Sequence, residues 1–87
     1  MKTTTQTMVD ADIACAALSM ASGRDIVRIV TGAGSVAVAW RDSTKRHHVA
    51  AFFRSTSGSV VSEGSMVTKA DCASDAKVAA VAKMLGA

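Results

Sequence analysis

Proline and tyrosine are absent, and only one tryptophan, two phenylalanines and two cysteines occur among the 87 residues. Without proline, no helix is stopped and no sheet edge protected by a missing N–H, so turns must come from glycine and short polar residues. With so few large side chains, the core falls to alanine and valine. The 49% apolar content therefore buries little area per residue, at about 25 cal/mol per Å² of apolar surface, which favours modest stability or self-association as a homo-oligomer. Cys15 and Cys72 stand far apart in no metal or redox spacing, and two cysteines do not make the framework of a small secreted domain. Both read as buried thiols in a reducing compartment. No apolar run reaches the length that a signal peptide or membrane span requires, so the expected location is the cytoplasm, with no membrane partner.

The formal charge is +3 and the pI is near 9.2. That is mildly basic, below the balance of a dedicated nucleic-acid binder. A chain of this length buries roughly 60 to 70% of its unfolded surface and makes one domain. Residues 1–6 are polar and without period, a flexible N-terminus, leaving 7–87 as the folded unit.

Thr7 with Asp10 three residues on has the form of a capping box, and Val9, Ile13, Ala16, Ala17 and Met20 recur at helical spacing. A helix is expected over about 8–21, closed by a left-handed cap at Gly23. Isoleucine and valine dominate 24–31, Gly32-Ala33-Gly34 supplies turn residues, and 35–41 alternates, which predicts a hairpin. The polar run 42–45 turns the chain into a third strand over 47–55. Residues 59–62 and 66–68 read as a weaker fourth strand, with Gly64 marking a bulge or bend. Thr68, Asp71, Ser74 and Asp75 offer N-caps to a last helix carrying Val78, Val81, Ala82 and Leu85, ended by Gly86. The fold class is α+β: a small antiparallel sheet of three to four strands with an N-terminal and a C-terminal helix packed on one face.

Strand parity then suggests a site. Val27, Ile29, Val36, Val38, Trp40, Val49, Ala51 and Phe53 fall on one face, and Ile26, Arg28, Val30, Ala37, Ala39, Arg41, His48, Ala50, Phe52 and Arg54 on the other. The second face joins small apolar residues to three arginines, whose guanidinium forks suit carboxylates and phosphates, with Phe52 as a desolvated anchor. The same parity leaves open which face the helices cover, since Ala37, Ala39 and Ala50 also suit close helix packing. Lys45, Arg46, His47 and His48 form a basic run at the second hairpin's tip, a natural contact for phosphates or acidic groups. Adjacent histidines in a strand point to opposite faces, so no shared metal site is expected. No cofactor motif, nucleophile elbow or paired acid marks an enzyme.

Three resemblances follow from the residues. Ile29 to Ser35, containing Gly32-Ala33-Gly34, resembles the glycine turn of dinucleotide-binding folds, but Ala37 stands at the third glycine position and a strand follows where a helix should begin. The turn is read as a hairpin. The element order, with the alanine-rich 74–85 at its end, resembles a double-stranded-RNA-binding domain, and implies phosphate contacts from the start of the last helix. Only Lys77 lies there, beside Asp75. In length and lack of catalytic groups the chain resembles small proteins of phages and mobile elements, anti-CRISPR proteins among them, which implies an inhibitor that occupies a host complex. The expectation is a non-enzymatic protein binding a protein or ribonucleoprotein through Arg28, Arg41, Arg54, Phe52 and Lys45 to His48. Nucleic-acid binding through the same residues is one alternative, and a homo-oligomeric structural protein pairing through the alanine-lined face or an uncovered edge strand is the other.

Overall fold

The computed structural model describes residues 10–32 and 34–86, and its elements run α1 (Ala11–Ala21), β1 (Asp25–Gly32), β2 (Ser35–Arg41), β3 (His47–Arg54), β4 (Val60–Val67), a short 3-10 turn (Ala70–Cys72) and α2 (Asp75–Met84). The four strands form one antiparallel sheet in sequence order, with β1 and β4 at its edges. The α+β class and the helix-sheet-helix order are those expected from the sequence.

The helices, however, lie on opposite faces of the sheet, not together on one. Ile13 and Ala17 of α1 pack on Val36, Val38, Ala50 and Phe52, whereas Val78 and Ala82 of α2 pack with Cys72 on Ala37, Ala39, Val49 and Ala51. Both central strands are consequently buried on both sides. Residues 36–39 and 49–52 are all buried, so neither strand presents a wet face.

Local chemistry explains the boundaries. Asp10 is the N-cap of α1, its carboxylate accepting the Asp12 N–H at 2.8 Å, and Gly23 takes the left-handed conformation (φ 78°) beyond the helix end. The expected cap, Thr7, lies outside the described residues, as do Met8, Val9 and the expected flexible start. Ser74 caps α2 by accepting the Lys77 N–H at 3.2 Å. β4 is one continuous strand, with Gly64 paired to Ala50 in unbroken register. The irregularity expected at Gly64 sits in β1 instead, between Ile26 and Arg28. Cys72 is buried, as expected, and burial pushes its thiol pKa up; Cys15, also expected to be buried, is instead exposed on α1.

Candidate functional site

The proposed basic sheet face does not form. Arg41 and His47 face each other across the second hairpin, so residues of like parity in β2 and β3 share a side. Arg28 and Arg41 accordingly point to the α2 side, and His48, Phe52 and Arg54 to the α1 side. Phe52 is 4% exposed within the α1 core and anchors nothing outside.

Each sheet arginine is also engaged within the molecule. Arg28 ties β1 to the segment before α2, donating to the Cys72 carbonyl at 2.9 Å, the Ala73 carbonyl at 3.3 Å and the Asp75 carboxylate at 2.7 Å. Arg41 donates twice to Asp25 Oδ2, at 3.0 and 2.7 Å. Arg54 donates to Asp10 at 2.6 Å, to Asp12 at 3.3 Å and to the Gly58 carbonyl. The Arg54 guanidinium holds the Asp10 carboxyl below its usual pKa, and the two acids raise that of Arg54. These side chains fasten elements together.

Most of what remains lies at one end of the sheet. Among the described residues, Arg24, Lys45, Arg46, Lys69, Lys77 and Lys83 have no carboxylate partner, and the first four surround the β2–β3 turn. All four are exposed. Beside them the directly paired residues Ile26, Trp40, His48 and Met66 form a row across the sheet. Trp40 and His48 stack at 5.0 Å, Arg24 lies 5.1 Å from the tryptophan ring on the strand-start side, and Met66 is 56% exposed. Arg46 Nη1 stands 4.0 Å from Met66 Sδ. His47 turns the opposite way from His48, toward Arg41, Lys69 and Cys72. Among the described residues, no three His, Cys, Asp or Glu side chains are placed to hold an ion.

Asp42 builds this end. It accepts the Thr44 N–H and hydroxyl at 2.8 and 2.6 Å, the Arg46 N–H at 3.0 Å and the His48 Nε2–H at 2.7 Å. The Thr44 hydroxyl first, then His48 and the Arg46 amide, hold its carboxyl far below the ordinary range. Because the folded pKa lies below the unfolded one, the unfolded chain binds more protons between the two values. This support is complete above the ordinary aspartate pKa and is lost as pH falls toward the folded value. Asp10 and Asp71 shift the same way. Thermal melts from roughly pH 6 to pH 2 should show the melting temperature falling through the acid range, with a shallower fall for Asp42→Asn. An equal acid slope in that variant would remove Asp42 as the cause.

The two long turns permit a comparison inside the molecule. In 42–46, the Asp42 N–H donates to the Arg46 carbonyl and the Lys45 N–H to the Asp42 carbonyl, both at 2.9 Å. In 55–59, the Ser55 N–H donates to the Ser59 carbonyl at 2.7 Å and the Gly58 N–H to the Ser55 carbonyl at 2.9 Å. The hydrogen-bond pattern is the same. Gly58 takes φ 93° in one turn, and Lys45 takes φ 71° in the other. A lysine thus occupies the left-handed position that glycine fills without steric cost. The sequence did mark Lys45 to His48 as a candidate, and the basic run was the usable signal. Lys69, Arg24 and Met66 were missed because they reach this end only through strand pairing.

No protein-family model matches the chain, and no curated protein or solved structure matches it. No helix among the described residues is long and apolar enough to cross a membrane.

Proposed function

We propose that the chain is a non-enzymatic cytoplasmic binding protein that docks its hairpin end on an acidic surface of a partner protein or ribonucleoprotein. Lys45 carries this reading: its side chain stands in the left-handed region, where the sister turn uses glycine, and a contact made by the exposed lysine would offset that backbone cost. Exposed Arg24, Arg46 and Lys69 add charge around it, and Met66 adds an apolar contact. A domain with these features acts by occupancy, covering a surface that another molecule would use. Inhibition of a host complex is one form of that action. The charge of +3 suits a local acidic patch better than a long run of phosphates.

The test is capture of a partner from nuclease-treated lysate, followed by affinity measurement with variants. Lys45→Gly relieves the backbone and should stabilise the fold by about 1 kcal/mol, or somewhat less after glycine's entropy cost, while weakening partner binding. Lys45→Glu with Arg46→Glu should abolish capture. A more stable Lys45→Gly protein that binds its partner as before would remove the tip from the site. Capture that vanishes with nuclease would shift the reading to nucleic acid.

A further inference from the structure

The two flanks of edge strand β1 differ in chemistry. On the α1 side, Leu18 and Ile29, 65% and 45% exposed, border a notch of about 150 Å³ floored by Ala17 and Val36. On the α2 side, a groove of about 650 Å³ runs from Val27 past Cys72 to His47 and Lys69. A smaller hollow of about 270 Å³ follows at the far end of the strand, lined by Thr31, Gly32 and Lys83. Of the carboxylates near this flank, Asp25 and Asp75 are taken by Arg41 and Arg28, and Asp71 is held by the Thr68 N–H and hydroxyl. One flank is therefore apolar, and the other adds two lysines without a carboxylate partner, Lys69 toward one end of β1 and Lys83 toward the other.

The strand between them is available for pairing. Its outer edge has no neighbouring strand, and residues 25–32 contain neither proline nor lysine; besides the irregularity near Val27, its charges are Asp25 and Arg28, each engaged in an ion pair within the molecule. β4, the other edge, is less suited to an acidic segment, because it carries exposed Glu63 among serines.

We propose that β1 takes an extended segment of a partner protein in which apolar and acidic residues alternate, added to the sheet as a fifth strand. Backbone groups of β1 supply the pairing. The period of two in a strand sends alternate side chains to opposite flanks, so the apolar set meets Leu18 and Ile29 while the carboxylates meet Lys69 and Lys83. This inference rests on the reading of an acidic protein partner, and gives its docking segment a chemistry.

The probe is a fluorescein-labelled ten-residue peptide alternating valine and glutamate, titrated with the full chain and read by anisotropy. Its counterpart alternates valine and lysine. The glutamate peptide should bind saturably and the lysine peptide should not. Ile29→Lys, which places a charge on the edge, and Lys69→Glu should each weaken binding by about tenfold or more. Lys45→Glu with Arg46→Glu, which lowers the overall positive charge, should weaken peptide binding far less than Ile29→Lys does even where it fails to capture the partner, which separates the edge from the tip. Should Ile29→Lys fail to fold, Thr31→Lys, at an exposed position of the same strand, takes its place. Failure of the glutamate peptide to bind, equal binding of both peptides, or unchanged affinity in the edge variant would overturn the proposal. So would light scattering showing a wild-type dimer that the edge variant dissolves, since the occupant would then be a second copy.

Discussion

Phe52→Ala is expected to lower the free energy of unfolding by about 3 to 5 kcal/mol, a large part of what a domain of this size has. The ring is buried under α1 between Ile13, Ala17 and Val36. Few other large side chains surround it to fill the void, because the chain has one other phenylalanine and one tryptophan. Chemical denaturation should place the midpoint far below that of the wild type, with an altered slope if the native state loosens. A loss under about 1 kcal/mol would mean that Phe52 is outside the core, where strand parity first placed it.

Ala51→Leu is expected to be disruptive for the opposite reason. Ala51 is fully buried beside Ala37 on the α2 side, where the small residues let Val78 and Ala82 approach the strands. Three more carbons have no room there, and overpacking of this kind costs about 1 to 3 kcal/mol or displaces the helix. The readout is again the unfolding free energy, with loss of native amide dispersion confined to α2 if the helix lifts. Unchanged stability would show that α2 does not cover this face.

The extents of β1, β2 and β3 were legible in the sequence because β-branched runs and turn residues bound them. Their sidedness was not. Val36 to Ala39 read as alternation of large with small, yet they and Val49 to Phe52 are unbroken apolar runs, which in a central strand signal burial on both faces, and that is what two helices on opposite sides provide. The pairing of β2 with β3 depends on the five residues of the 42–46 turn. An odd loop brings like parity together, which separates Arg28 and Arg41 from His48, Phe52 and Arg54. The irregularity near Val27 shifts Ile26 to the side of Trp40 while leaving Arg28 beside Ala39, and no local residue type announces it. At the hairpin tip the basic run was visible, but the left-handed backbone of Lys45 and the arrival of Lys69 and Met66 required the fold.

The most direct test of the hairpin end as the docking surface is hydrogen exchange of the chain alone and bound to its captured partner, followed by mass spectrometry. The proposed site predicts slowed exchange in 43–48 and 68–70. Slowing confined to the opposite end, in 55–59 and around Gly34, with 43–48 unchanged, would contradict it.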